Sequence, residues 1–119
     1  MLFDLTEIPV DTALAPVRLP SSGELTVYRL VQEALTNISK YARATKVEVR
    51  VVANAGLVNV SVRDNGTGFD PTQRRTSAHG LLGMRYRLES EGGRMVLTSV
   101  PGQGTAIEAQ LPESRNPAA

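Results

Sequence analysis

Three groups of residues in this chain have types and spacings suited to chemistry. The first is Glu33, Asn37 and Lys40, which share one face of any helix that carries them. A carboxylate can act as general base for an attacking group. An amide oxygen is a hard ligand that suits Mg2+, and an ammonium can meet phosphate. A solvated helix face with i,i+4 pairs would read the same way. The second group is Asp64, Gly66 and Gly68, in Val60-Ser61-Val62-Arg63-Asp64-Asn65-Gly66-Thr67-Gly68-Phe69. Asp64 is in phase with Val58, Val60 and Val62, so the inward face of this strand ends in a carboxylate. Such a group is costly unless it is hydrogen-bonded. It only accepts hydrogen bonds, so it can hold an exocyclic amine such as that of adenine. The glycines permit a sharp turn or the close approach of a ligand. A capped strand end with a glycine turn is the plainer alternative. The third group is Gly80 to Gly83, where a second helix is predicted to open. Backbone N–H groups and the helix dipole favour phosphate there, although a helix start that needs room would also use glycine.

The elements that must position these groups follow from periodicity. Leu2 to Ile8 has the pattern of a short strand, and Pro9, Pro16 and Pro20 predict an irregular connection after it. Ser21 and Glu24 have capping-box spacing, which predicts a helix from there to about Ala42. Its apolar stripe is Val27, Val31, Ala34, Leu35 and Ile38, with Glu33, Asn37 and Lys40 on the side away from it. Lys46 to Val52 alternates, with Val47, Val49 and Val51 on one face. Asn54-Ala55-Gly56 then turns the chain into the strand Leu57 to Asp64, forming an antiparallel hairpin. Asp70 to Ala78 is polar and reads as a loop. The helix opening at Gly80 should run to about Glu91, where Gly92-Gly93 stops it. Arg94 to Val100 and Thr105 to Leu111 are the last strands, joined by Pro101-Gly102-Gln103-Gly104. Thr105, Ile107, Ala109 and Leu111 share a face. Residues 113–119 read as a flexible tail, residues 21–112 as the domain core, and residues 1–20 as a leading strand and connection. Two helices and several half-buried strands predict an α+β two-layer sandwich. Its sheet is mixed and mostly antiparallel, with the helices on one face.

Composition narrows the function. A chain of 119 residues that is 41% apolar can build one core. A net charge of +1 without a basic run disfavours nucleic acid as a direct partner. The absence of cysteine excludes disulfides and thiolate metal sites, and a single histidine, His79, excludes a multi-histidine metal centre. No apolar run reaches the roughly 18 residues of a membrane helix, so direct membrane contact is not expected. The P-loop pattern is absent. Pro71 stands where the dinucleotide fingerprint would need its third glycine, and the hairpin connection also disagrees with a Rossmann unit.

Taken together, the motifs are similar to those of the histidine-kinase ATP-binding domain. Gln32-Glu33-Ala34-Leu35-Thr36-Asn37-Ile38-Ser39-Lys40-Tyr41-Ala42 resembles its asparagine box, and Asp64-Asn65-Gly66-Thr67-Gly68-Phe69 resembles its first glycine box. His79-Gly80-Leu81-Leu82-Gly83-Met84-Arg85 resembles the second glycine box, and Gly102-Gln103-Gly104-Thr105 matches the closing Gly-x-Gly-Thr element. The resemblance spans residues 25–112, and the wording is nearest to nitrate-sensor kinases. Tyr41 departs from the histidine that many relatives carry.

The resemblance implies ATP and Mg2+ as cofactors. It implies that Asn37 coordinates Mg2+ on the ATP phosphates, that Glu33 is the base or orients the attacking group, and that Lys40 lies near the phosphates. Asp64 would bind the adenine amine with help from Thr105, and Gly66 and Gly68 would shape that pocket. Gly80, Leu81 and Gly83 would present the phosphate-binding segment, and Asp70 to His79 would be a short lid. Arg74, Arg75 and Arg85 are further candidates for phosphate contact. The implied activity is transfer of the γ-phosphoryl group to a histidine on a dimerisation and phosphoacceptor domain, with a response regulator as downstream partner and a cytoplasmic location, whether or not the full-length sensor is membrane-anchored. His79 is a lid or structural residue and not the acceptor. The alternative within the same superfamily is a stand-alone anti-sigma-factor-type serine kinase.

Overall fold

The computed structural model describes residues 10–39, 43–68 and 76–114. The elements are β1 (Val10–Leu14), α1 (Ser21–Asn37), β2 (Val47–Asn54), β3 (Leu57–Asp64), α2 (Thr76–Ser90), β4 (Arg94–Val100) and β5 (Gly104–Pro112). The strands form one five-stranded sheet in the order β1-β2-β3-β5-β4. β1 and β2 run parallel, because α1 is the crossover between them. The other neighbouring pairs are antiparallel. Ala55 and Gly56 close the β2–β3 hairpin with φ of 55° and 80°, the left-handed pair that suits the twist of the flanking strands.

One face of the sheet is the core. Val47, Val49, Val58, Val60, Val62, Met95, Ile107, Ala109 and Leu111 are buried there, against Leu30 of α1 and Leu88 of α2. The opposite face is polar. Arg63 pairs with Glu108. Arg94 Nε donates to Gln110 Oε1 at 3.0 Å, and Gln110 Nε2 donates to Asn59 Oδ1 at 2.9 Å. The architecture is the expected α+β sandwich, and every third-strand residue from Leu57 to Asp64 lies where alternation placed it.

Several local expectations need correction. The expected strand Leu2 to Ile8 lies outside the described residues. The stretch between Pro9 and Pro16, read as irregular, contains β1. As the edge strand it pairs only with β2, where prolines at its ends break no inner ladder. Ser21 caps nothing. Pro20 is the N-cap, its carbonyl accepts from Glu24 N–H at 2.9 Å, and no side-chain cap is present. The buried row of α1 is Gly23, Thr26, Leu30 and Ala34, continued by Ile38, whereas Val27, Val31 and Leu35 flank it half-buried. The helix is wedged between the sheet and α2, so its buried arc is wider than the valine stripe alone. Thr26 Oγ1 donates to the Glu91 carboxylate across that helix pair. Glu113 and Ser114, expected in a loose tail, donate from their backbones to Gly56 O at 2.9 Å and Arg18 O at 2.8 Å.

α2 begins at Thr76, four residues before the expected opening at Gly80. Thr76 and Ser77 were read as loop residues, yet hydroxyl residues are at home in the first turn of a helix. Its far end is as expected: Gly93 N–H bonds Leu88 O and Gly92 N–H bonds Glu89 O, a Schellman closure.

Candidate functional site

Asp64 ends β3 opposite Thr105, the second residue of β5. Its carboxylate is half-buried. Gly66 N–H donates to Asp64 Oδ1 at 2.8 Å, and the Thr105 N–H is a second backbone donor to the same side chain. Burial pushes the Asp64 carboxyl above the ordinary aspartate range, and the two backbone donors pull it only part of the way back. Arg63, Thr98, Val100 and Ala106, with Asp64, Gln103, Gly104 and Thr105 at its edge, line a depression of about 210 Å3 that opens on the polar face of the sheet. On the inward side, an acceptor-only group at this strand end is suited to a ligand that brings an N–H.

The turns around this carboxylate are set by close backbone packing. Gly68 and Gly104 have φ of 62° and 85°. A methyl on Gly68 would run into the Val100 carbonyl, and one on Gly104 into the Asp64 carbonyl. Gly102 N–H donates to Thr67 O at 2.5 Å. The Asp64-to-Gly68 turn and the β4–β5 turn are thus pressed together through their glycines. Asn65 adds a clamp. Its Oδ1 accepts from the Thr45 and Lys46 N–H groups, both at 2.9 Å, and its Nδ2 donates to Thr45 Oγ1 at 2.8 Å.

Sequence reading missed Ser99. It is buried on β4, 2.8 Å from Thr105 Oγ1, and its hydroxyl donates to Gly104 O at 3.3 Å. It therefore fixes the hydroxyl beside Asp64. Its phase with Met95 and Leu97 marks it as inward-facing, the one signal that pointed to it.

Glu33 and Asn37 are half-buried, one turn apart at the C-terminal end of α1. They do not face away from the rest of the molecule as expected. The Glu33 carboxylate lies against Gly80 of α2. Directly after Asn37, Ile38 and Ser39 continue as a widened π-type turn, a feature frequent at functional sites. The crossover geometry brings this end of α1 to the start of β2, and Val47 there pairs with Asp64. Both clusters therefore sit at one end of the sheet.

Gly80, Leu81 and Gly83 lie within α2 and not at its start. The N–H groups of a helix's first turn are the ones without an internal partner, so the donors open to a phosphate in this conformation are those of Thr76 to Ala78, upstream of Gly80. Thr76 to His79, expected in the lid, are helical. Lys40, Tyr41, Arg74 and Arg75 lie outside the described residues. Arg85 is half-buried, and among the described residues its Nε has no hydrogen-bond partner. No cluster of three or more His, Cys, Asp or Glu able to hold a metal occurs among the described residues.

The model of the histidine kinase-, DNA gyrase B-, and HSP90-like ATPases matches residues 22–115. This chain belongs to that ATPase family. The domain is therefore of the ATP-binding type of that family. The signal transduction histidine-protein kinase/phosphatase DegS of Brevibacillus brevis is 38% identical over 95 residues, which cover 80% of this chain and 25% of DegS. The sensor histidine kinase LiaS of Bacillus subtilis is 38% identical over 86 residues, 72% of this chain and 24% of LiaS. The sensor protein VraS of Staphylococcus haemolyticus is 31% identical over 98 residues, 82% of this chain and 28% of VraS. The chain spans about a quarter of the length of these relatives. Their names are of DegS, LiaS and VraS type, so the nitrate-sensor subtype suggested by the motif wording gains no support from them. Among solved structures, the histidine kinase domain of the Erythrobacter litoralis EL346 blue-light activated histidine kinase superposes with a TM-score of 0.76 at 23% identity, covering 95% of this chain and 55% of that one. The mycobacterial sensor histidine kinase MprB gives 0.72 at 23%, covering 91% and 83%. At that identity the likeness speaks for the fold. Among the described residues no helix is long and apolar enough to cross a membrane.

Proposed function

We propose that this domain binds Mg-ATP and delivers the γ-phosphoryl group to a histidine on a separate dimerisation and phosphoacceptor domain, from which a response regulator is charged. The observation that carries the reading is the half-buried Asp64 carboxylate, held by Gly66 and Thr105 at the same end of the sheet as Glu33 and Asn37. Asp64 accepts a hydrogen bond from the adenine amine, with the Ser99-anchored Thr105 hydroxyl beside it. Gly66 and Gly68 give the pocket its wall. Asn37 would hold Mg2+, which would neutralise phosphate charge, and Lys40 would supply a further positive charge. Glu33 orients the attacking imidazole or takes its proton. The segment of Gly80, Leu81 and Gly83 faces the phosphates. ATP and response regulators are cytoplasmic, which places the domain on that side.

Calorimetric titration with a non-hydrolysable ATP analogue and Mg2+ tests the site. Wild type should bind, Asp64→Asn should bind at least tenfold more weakly, and Asn37→Asp should lose the Mg2+-dependent part of the affinity. Equal binding by all three, or by none, overturns the assignment. Supplying the phosphoacceptor domain in trans tests the reaction. Label on histidine supports the proposal, whereas label on a serine of a protein partner would move the reading to the serine-kinase alternative.

A further inference from the structure

Gly80 is the fifth residue of α2 and sits where a helix has no need of glycine. It is not among the glycines with positive φ, so its backbone would accept an L side chain. In a helix interior glycine is a poor choice against alanine. One thing fills the space that a side chain would take. A methyl on Gly80 would collide with Oε1 and Cδ of Glu33, with Glu33 Cγ next nearest at 3.2 Å. No other group lies closer. The contrast within the same motif is direct, because a methyl on Gly83 meets nothing within 4 Å.

We propose that Gly80 is a positioning residue whose missing side chain forms the seat of the Glu33 carboxylate. α2 crosses α1 in antiparallel fashion, with Glu91 meeting Thr26 at one end and Gly80 meeting Glu33 at the other. The Thr26–Glu91 contact fixes the distal end of the pair, so the crossing at Gly80 sets which rotamers of Glu33 are open. This role is additional to any contact of the segment with phosphate. It makes the carboxylate sense the placement of α2. The catalytic consequence rests on the reading of Glu33 as the base or orienting group, but the seat itself does not.

The test is Gly80→Ala in the whole chain. The obstacle is the end of a flexible side chain and the backbone is helical, so the variant should fold with an unchanged or higher Tm. The carboxyl 13C resonance of Glu33, assigned by comparison with Glu33→Ala, should move. With the phosphoacceptor domain in trans, kcat should fall at least tenfold and the affinity for the ATP analogue should change less than twofold. Adding Gly80→Ala to Glu33→Ala should cost no further rate, because the two changes remove the same function. Glu33→Asp, which draws the carboxylate back by one methylene, should restore part of the rate when combined with Gly80→Ala. An unmoved Glu33 resonance in Gly80→Ala overturns the proposal, as does a rate loss of equal size with and without Glu33. Full activity of Glu33→Ala would instead remove the catalytic reading, and the resonance would still decide the seat.

Discussion

Gly104 and Gly80 both belong to glycine motifs, yet an added methyl would meet different things at the two. At Gly104, and at Gly68 beside it, the obstacle is a main-chain carbonyl in another turn, and the backbone is left-handed. Nothing there can step aside. At Gly80 the obstacle is the tip of one side chain and the backbone is helical. The first region uses glycine to press two turns together, and the pocket wall at Asp64 follows from that packing. The second uses glycine to leave one carboxylate a place. A glycine motif thus mixes positions that belong to folding with positions that belong to the site, and only the identity of the colliding atom separates them.

The largest expected effect that sharpens this contrast is Gly104→Ala. Left-handed strain and a main-chain clash together should cost about 3 kcal/mol or more of stability, read by urea denaturation. A loss below about 1 kcal/mol would mean that the two turns separate easily, and the contrast with α2 would collapse. Gly83→Ala should act in the opposite direction. The position is exposed, helical and empty, so it should gain about 0.8 kcal/mol in the same assay. The smallest effect appears only as pH changes. The folded-state pKa of Asp64 is raised by burial, so between the ordinary aspartate value and the raised one the native state holds more proton than the unfolded chain. Stability contributed by this group is present at low pH and lost as pH rises through that window. Asp64→Asn should remove this decline. The stability of wild type relative to Asp64→Asn should therefore fall from pH 4 to pH 7, and a rise would show that hydrogen bonds to the carboxylate outweigh its burial.

Alternation and turn chemistry made most of the sheet legible. The valines of β2 and β3, the Asn54-Ala55-Gly56 turn and the inward phase of Asp64 and Thr105 all follow from a two-residue period. The first strand was not legible, because prolines on both sides of it hid an edge position. The orientation of Glu33 was misjudged for a different reason. A helical wheel tells which residues share a face, but not that a second helix will cross it. The start of α2 was placed at the glycines because they interrupt a pattern, whereas Thr76 and Ser77 already form its first turn. The inward phase of Ser99 could be read, but its bond to Thr105 depends on the pairing of β4 with β5, which lies beyond local sequence.

The Asn65 clamp has a consequence for the chemical lifetime of the protein. Asn65-Gly66 is the dipeptide most prone to deamidation, in which the glycine nitrogen attacks the asparagine side-chain carbonyl and ammonia leaves. Here the Gly66 N–H is engaged by Asp64, and the Asn65 amide is held by Thr45 and Lys46. The nitrogen and the carbonyl are each committed elsewhere, so folding should slow the ring closure. Each unfolding event exposes the pair again. A chain that ages there would gain a negative charge next to Asp64 and lose the Nδ2 donor that reaches Thr45 Oγ1. The same turn that shapes the pocket would then record how long the protein had spent unfolded.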